Sequence, residues 1–380
     1  MMRLPIFLSF LILITMATQP IASAQELLYV GTYSDRGSEG IYVLEFDRAT
    51  GKLSERQTLE DKDSPSFLTI HPNGKYLYAV YREGKDANDK HGTVTAFAID
   101  PKDGRLSKLN EQSSEGAGPC HMSVDPAGKL VYVSNYGEGN LAAYPVEADG
   151  RLGEASDVVQ HSGGSVNPDR QQEPHMHSII PSESGEVIYA SDLGIDKIML
   201  YQPDRGSGKL SAASPPFVAS TPGAGPRHFA LHPSGRWAFS IEELSSTIAA
   251  YAVDKESGGL TSVNRVTTLP EGASADGNST ADIHVSPDGK FVYASNRGHD
   301  SIVIYAIDTD TGKLTYVGNE PAGGEHPRNF CMDDRGEFVW VANRDTDNVV
   351  VFRRDAQTGK LTPTGNEIKI PAVVCVQQGR

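Results

Sequence analysis

Residues 227–269 read RHFALHPSGRWAFSIEELSSTIAAYAVDKESGGLTSVNRVTTL. Four short runs rich in β-branched and aromatic residues are separated here by the turn sequences PSG, ELSS and ESGG. The runs last about five to eight residues, and Gly, Pro or Asp interrupts them before a helix could complete three turns. The stretch therefore predicts four β-strands joined by tight turns.

This unit recurs along the whole chain. The tripeptide Gly-(Lys/Arg/Gly)-Leu begins at seven glycines: Gly51, Gly104, Gly150, Gly208, Gly258, Gly312 and Gly359. The second run of each unit carries an aromatic residue about every 52 residues: Tyr29, Tyr78, Tyr132, Tyr189, Phe239, Tyr293 and Trp340. Four antiparallel strands make one blade of a β-propeller. We therefore predict an all-β fold, a seven-bladed β-propeller with four-stranded antiparallel blades.

The first unit lacks one strand. It begins directly with LLYVGTY at residue 27, whereas the other six units have a run before this one. The C-terminal sequence PAVVCV, residues 371–376, has the apolar character of the missing strand. We expect it to complete the first blade, because this closure removes two exposed sheet edges. A loose C-terminal tail is the alternative.

The N-terminus has the pattern of a secretory signal peptide. Arg3 precedes an apolar run from Leu4 to Ala17, and Ala22-Ser23-Ala24 forms a small-residue cleavage site. A membrane anchor is the alternative, but the run is shorter than the roughly 20 residues that span a bilayer. We expect residues 1–24 to be removed, leaving a propeller domain over residues 25–380 in the periplasm or secreted.

Composition narrows the range of partners. The chain has 49 acidic and 34 basic residues and a net charge of -15, which disfavours a nucleic-acid partner. No later stretch is apolar and long enough to span a membrane, so we expect no membrane association after cleavage, and a monomer. Cys120, Cys331 and Cys375 have no disulfide or zinc spacing and are expected to be buried.

Two columns of residues do not repeat between units. The start of the first strand reads Ser66, Cys120, His177, Arg227, Ala281 and Arg328, and the end of the second strand reads Tyr33, Arg82, Tyr136, Leu193, Glu243, Arg297 and Arg344. Antiparallel pairing places both columns at one end of the blades. A structural role would require similar residues in every unit, so the columns indicate a site. Capping of strand ends or a wet channel is the alternative.

The chemistry of these columns indicates an anionic ligand. Arginine forks bind carboxylate or phosphate, Glu243 beside them would be ionised, and His177 could exchange a proton near neutral pH. The long connections at 154–174 and 271–280 suggest a lid, in which Asp169, Arg170 and Gln171 could reach a ligand. We expect neither a metal nor a cofactor. The candidate substrate-binding residues are Arg328, Asp192, His228, Asn135 and His121.

The sequence resembles the bacterial β-propeller lactonases of the 6-phosphogluconolactonase type, which are similar to fungal carboxy-cis,cis-muconate cyclases. The resemblance covers residues 26–376 and lies in LYVGTYS, GPCHMSVDPAGKLVYVSNYGEGNLAAYPV, NPDRQQEPHMHS, YASDLGIDKIMLY, GPRHFALHPSGRWAF, EELSST, YASNRGHDSIVIY and HPRNF. It implies catalytic or ligand-binding roles for four residues that the columns also contain, namely His177, Arg227, Glu243 and Arg297.

The leading hypothesis is metal-independent hydrolysis of a sugar-acid lactone. Glu243, with His177, would activate water, and Arg227 and Arg297 would hold the anionic group of the substrate and the developing oxyanion. A cycloisomerase that closes a dicarboxylate to a lactone could use the same residues. A non-catalytic exported binding propeller is the third interpretation.

Overall fold

The computed structural model describes residues 26–60, 63–82 and 90–379. Within these ranges the regular secondary structure consists of 28 β-strands, and no helix is present that could cross a membrane. The predicted signal peptide, residues 1–24, lies outside the described residues and stays a prediction.

The strands form seven four-stranded antiparallel sheets, numbered here as blades 1 to 7 in chain order. Blade 1 consists of β1 (Glu26–Thr32), β2 (Gly40–Asp47), β3 (Lys52–Glu60) and β28 (Val373–Gln378). Blades 2 and 3 consist of β4 (Pro65–Ile70), β5 (Tyr76–Tyr81), β6 (His91–Ile99), β7 (Leu106–Ala117), β8 (Pro119–Val124), β9 (Leu130–Asn135), β10 (Asn140–Pro145) and β11 (Asp157–Gln160).

The remaining four blades repeat this arrangement. Blades 4 and 5 consist of β12 (Met176–Pro181), β13 (Ile188–Asp192), β14 (Lys197–Pro203), β15 (Leu210–Ala219), β16 (Pro226–Leu231), β17 (Trp237–Glu242), β18 (Thr247–Val253) and β19 (Leu260–Thr267). Blades 6 and 7 consist of β20 (Ser279–Val285), β21 (Phe291–Arg297), β22 (Ser301–Ile307), β23 (Leu314–Pro321), β24 (Pro327–Met332), β25 (Phe338–Asn343), β26 (Asn348–Arg354) and β27 (Leu361–Lys369).

The C-terminal strand closes the ring. β28 pairs with β1, with Val376 opposite Val30, and also contacts the first strands of blades 2 and 7. Val373 and Val376 are completely buried, so this strand belongs to the core. The seven-bladed propeller and its closure by the C-terminal strand are both confirmed.

The two sequence repeats meet between adjacent blades. The glycine of each Gly-x-Leu turn has a positive φ, between 70° and 86°, which favours glycine because it lacks a Cβ. In four blades the tyrosine of the second strand donates its hydroxyl hydrogen to this glycine's carbonyl in the next blade; Tyr29 to Gly104, at 2.9 Å, is one example. Apolar clusters fill the space between blades, as where Tyr189 packs near Phe229. The repeats thus define the contact between blades.

Every first strand carries a β-bulge near its beginning. In blade 5, Pro226 pairs with Glu242 and His228 with Ile241, which leaves Arg227 without a partner in the ladder. The corresponding bulges contain Ser66, Cys120, His177, Ala281, Arg328 and Val374. A bulge re-aims the side chain that it carries. We call the end of the ring that holds these bulges and the residues after the second strands the mouth.

Candidate active site

A buried carboxylate at the mouth is held by three arginines. Glu243 follows β17, and its Oε2 lies 3.0 Å from both Arg227 Nε and Arg297 Nη2, while its Oε1 accepts a hydrogen bond from Arg170 Nη2 at 2.7 Å. Only 6% of the Glu243 side chain is exposed. Arg227 belongs to the bulge of β16 and Arg297 ends β21. Arg170 comes from residues 161–175 between β11 and β12; the connection predicted at 154–174 is wrong at its start, because β11 occupies Asp157–Gln160. Three separate segments therefore converge on one carboxylate.

The arginines keep Glu243 ionised. Burial alone would raise its pKa, but the charges of Arg297, Arg227 and Arg170 outweigh burial and hold the pKa well below its usual range. Burial also lowers the pKa of Arg227, and the cations Arg328 and Arg297 add to that effect. The guanidinium nevertheless remains a cation at neutral pH, since arginine starts from a pKa above 12.

Backbone carbonyls fix two of these guanidinium groups. Arg297 Nη2 donates to the Thr280 carbonyl at 2.6 Å, and Arg227 Nη1 donates to the Ala281 carbonyl. Both carbonyls belong to β20, so one strand orients both cations. The Nε of Arg297 is buried and has no hydrogen-bond partner among the described residues. One guanidinium donor of the site thus has no acceptor within the described chain.

His177 borders the same cluster as a neutral imidazole. Its residue is 4% exposed, and its ring makes edge contacts with the rings of Tyr136 and His228, at centroid distances of 5.3 and 5.4 Å. Burial first, and then Arg227 and His228, lower its pKa well below the usual value. His177 is therefore unprotonated at neutral pH and is a weak base, and its exchange of a proton with a substrate stays a prediction.

Of the three loop residues considered from the sequence, only Arg170 reaches the Glu243 site. Besides Glu243 it contacts the Tyr136 hydroxyl at 3.1 Å, and the Tyr136 ring stacks on His175 at 4.4 Å. Gln171 is completely buried and donates to the Leu193 carbonyl at 2.8 Å, so it holds the loop in place. Asp169 is exposed. No signal in the sequence separates Arg170 from its neighbours.

His121 and His228 lie along the central channel. They line a cavity of about 340 Å³ together with residues of other first strands, Phe67 and Asp282 among them. His228 Nδ1 lies 2.7 Å from Asp282 Oδ1, and His121 Nδ1 accepts from the Ile179 amide at 3.3 Å. Burial is the main cause that lowers the pKa of His121 far below normal and that of His228 to about 4. Both are neutral.

Asn135 and Asp192 contact neighbouring segments of the fold, and their role in substrate binding stays a prediction. Both are completely buried. Asn135 Nδ2 donates to the Ser114 carbonyl at 2.8 Å, and Asp192 Oδ2 lies 2.7 Å from His161 Nδ1. Ser114 and His161 lie in the segments that arrive from the preceding blade, so these side chains anchor that segment. Successive residues of a strand point to opposite faces, and these two lie one place before the mouth column.

Arg328 lies at the mouth as expected. It is half-buried, and among the described residues it makes no ion pair with a carboxylate. Its guanidinium carbon lies 5.4 Å from the centre of the Tyr33 ring.

Cys120, also at the mouth, is a free thiol whose sulfur lies 3.8 Å from His177 Nδ1. Within the described ranges no three His, Cys, Asp or Glu side chains converge on a possible metal position.

Comparison with known proteins identifies the family. The family model described as "Lactonase, 7-bladed beta-propeller" matches residues 27–378, nearly the whole described chain. The chain belongs to this family. The resemblance inferred from the sequence motifs is thereby confirmed, and the protein is an enzyme of the lactonase class of ester hydrolases.

Relatives of this lactonase include two proteins named 6-phosphogluconolactonase. The one from Formosa agariphila is 37% identical over 313 residues, which cover 80% of this chain and 86% of the relative. The one from Bacillus subtilis is 35% identical and covers 80% of this chain and 84% of its own length. Among solved structures, the periplasmic gluconolactonase of Pseudomonas aeruginosa superimposes with a TM-score of 0.87 at 32% identity, covering 94% of this chain and 99% of that protein.

Proposed function

We propose that this lactonase hydrolyses a sugar-acid lactone that carries an anionic group, with 6-phosphogluconolactone as the leading candidate. The observation that carries the proposal is the Glu243 carboxylate held among Arg170, Arg227 and Arg297, with Arg328 beside them without an ion pair in the described chain. A concentration of arginine in a protein of net charge -15 favours an anionic substrate. The names of the two relatives support the same substrate class.

The ester carbonyl would bind against the guanidinium groups of Arg227 and Arg297. Addition of water to this carbon places a negative charge on the carbonyl oxygen, and fixed donors stabilise it in the transition state. The unpartnered Nε of Arg297 is a donor of this kind. Collapse of the intermediate breaks the bond to the ring oxygen, which takes up the proton that His177 accepted from water and leaves as a hydroxyl group. The new carboxylic acid then ionises, so the products are the open hydroxy carboxylate and one proton.

His177 would accept the proton from the attacking water. It is the neutral member of the cluster, and a positioned general base contributes about 10²- to 10⁴-fold to the rate. The arginines hold the pKa of Glu243 so low that it is a weak base, and its role would be to orient the arginines and the water. Its Oε1 accepts from Arg170 and has room for a second donor, since a carboxylate oxygen offers two lone pairs.

This mechanism uses side chains of the chain alone, so the proposal includes hydrolysis without a metal or cofactor, by a monomer. Prolonged dialysis against EDTA should leave kcat within about twofold of its starting value. A loss of activity that Mg²⁺, Ca²⁺ or Zn²⁺ restores would contradict this part of the proposal.

The proposal also includes export to the periplasm or the medium. The N-terminal pattern of residues 1–24 and the periplasmic gluconolactonase of similar structure support it. Expression of the full chain, cell fractionation and N-terminal sequencing would test it, with Gln25 expected as the first residue of the mature protein. An uncleaved chain in the cytoplasm would contradict it.

The decisive experiment measures acid release in a pH-stat with 6-phosphogluconolactone and gluconolactone, after subtraction of spontaneous hydrolysis. We expect turnover that Arg297→Ala reduces by at least about 100-fold. The matched control is Arg236→Ala, because Arg236 also lies over an aromatic ring, that of Trp237 at the opposite end of the blade. Equal rates for protein and blank would refute the proposal, and a product without added water would indicate a cycloisomerase.

A further inference from the structure

Three arginines surround the ring of Tyr33 at the mouth. The guanidinium carbons of Arg82, Arg328 and Arg344 lie 5.6, 5.4 and 5.4 Å from the ring centre. Tyr33 follows β1 of blade 1, Arg82 follows β5 of blade 2, and the other two belong to blade 7. Arg82 Nη1 also donates to the Tyr33 hydroxyl at 3.1 Å. We call this group, Tyr33 with Arg82, Arg328 and Arg344, the tyrosine cluster.

Within the part of the chain that the structure describes, carboxylates balance only part of the positive charge of the tyrosine cluster. Arg344 pairs with Asp35 at 3.1 Å and Asp345 at 3.5 Å. Among the described residues Arg328 has no such partner, and Arg82 contacts the Tyr33 hydroxyl rather than a carboxylate. Like charges gathered on one ring repel each other, and an anion seated between them would remove this repulsion. The arrangement is therefore that of an anion site.

The pKa of the Tyr33 hydroxyl reflects the positive charge around it. Burial would raise the pKa of Tyr33, but Arg328, Arg82 and Arg227 together lower it below the usual value. Arg227, one of the Glu243 ligands, thus acts on Tyr33, and Arg328 acts on Arg227 and Arg297. The tyrosine cluster therefore adjoins the Glu243 site without sharing its carboxylate.

We propose that the tyrosine cluster binds the terminal oxyanion group of the lactone, while the Glu243 site acts on the ester. This inference rests on the proposed lactonase reaction and assigns its substrate specificity. In 6-phosphogluconolactone the phosphate is carried on C6, two bonds from the ring oxygen of the ester. The ester and the anionic group are therefore separate but close together, which matches two adjoining groups of cations. A phosphate monoester suits the cluster better than a carboxylate, because its three oxygens can face several guanidinium forks at once.

The test compares three lactones that differ at the terminal carbon: 6-phosphogluconolactone, glucarolactone with a carboxylate, and gluconolactone with a neutral hydroxyl. kcat/KM is measured for the wild type, Arg82→Ala, Arg328→Ala and Arg328→Lys, with Arg236→Ala as the control. We expect each alanine variant to lose about 10- to 100-fold on the phosphorylated lactone. The loss on gluconolactone should be at least about tenfold smaller, and Arg328→Lys should retain part of the preference. A larger effect on glucarolactone than on the phosphorylated lactone would overturn the preference for phosphate.

Equal losses on all three lactones, or no loss on any of them, would overturn the assignment of the tyrosine cluster. If the wild type hydrolyses none of the lactones, the proposed function fails, and calorimetric titration with 6-phosphogluconate decides the cluster separately. Binding that Arg82→Ala and Arg328→Ala weaken at least about tenfold, with Arg236→Ala unaffected, would support the anion site. Binding that is absent, or that the two variants leave unchanged, would overturn it.

Discussion

Replacing Glu243 by glutamine tests the centre of the proposed site with a minimal change of shape. The substitution removes one negative charge and leaves Arg170, Arg227 and Arg297 around an uncharged amide. The new amide nitrogen would also face at least one arginine donor, because both carboxylate oxygens accept from guanidinium groups in the native structure. Charge balance and hydrogen bonding are lost together.

The Glu243→Gln substitution should lower both the stability of the protein and its kcat. The Arg227 residue is only 1% exposed, so its charge loses its ion pair in a place that water hardly reaches. Removing one partner of a buried pair costs about 3 to 5 kcal/mol, and we expect the free energy of unfolding to fall by this amount. Without the carboxylate, the arginines and the attacking water are no longer held in position. We expect kcat to fall by about 10²- to 10⁴-fold for this reason.

Glu242→Gln is the matched control because the neighbouring side chain has the same chemistry in a structural setting. Glu242 is completely buried, and its oxygens lie 2.7 Å from Arg265 Nη2 and 2.6 Å from Thr247 Oγ1. We expect this variant to lose stability, measured by urea unfolding, but to keep kcat within about threefold in the pH-stat. Wild-type turnover in Glu243→Gln, or an equal loss of kcat in Glu242→Gln, would refute the reasoning.

Three further predictions concern stability and the predicted role of Asp192. The free energy of unfolding should fall as pH drops below 6.5, because the native state keeps His121, His177 and His228 neutral while the unfolded chain takes up protons. Each of these histidines should contribute about 1.4 kcal/mol per pH unit to the fall. Urea unfolding at pH 7.5, 6.5 and 5.5 measures this, and an unchanged or rising stability would contradict it. Deleting residues 371–380 should abolish cooperative thermal unfolding in circular dichroism, since blade 1 loses β28; a melt like that of the full chain would mean that the closure adds little. Asp192→Asn should lower the melting temperature and leave KM unchanged, whereas a raised KM at native stability would support its predicted role in substrate binding.

The fold could be predicted because its determinants are local and repeated. Each Gly-x-Leu turn needs a glycine with positive φ, and each second strand places its aromatic residue against the turn of the next blade. Ring closure also followed from the sequence, since a unit without its first strand leaves a sheet edge that only a distant apolar segment can cover. The period, the turn chemistry and the missing strand all indicate the same architecture.

The site was predictable only where the strand register places a side chain. Glu243 follows a second strand and Arg297 ends one, while Arg227 and His177 occupy bulges of first strands. Counting residues from the recurring turn of each repeat unit therefore finds all four. Arg170 comes from a connection without a repeating partner, and its reach depends on how Gln171 fastens that loop to the Leu193 carbonyl. No periodic pattern encodes that contact.

Asn135 and Asp192 show how sensitive this counting is. Each lies directly before a residue of the mouth column, and that single step turns the side chain from the mouth to the opposite face of the strand. Asn296 and Asn343 occupy the same position in blades 6 and 7, and their side-chain amides donate to the Thr268 and Ala322 carbonyls of the arriving segments. The same contact made at one position in three blades thus marks a structural role. The residues of the neighbouring column instead contact one another at the mouth, as Glu243 does with Arg297 and Tyr33 does with Arg344.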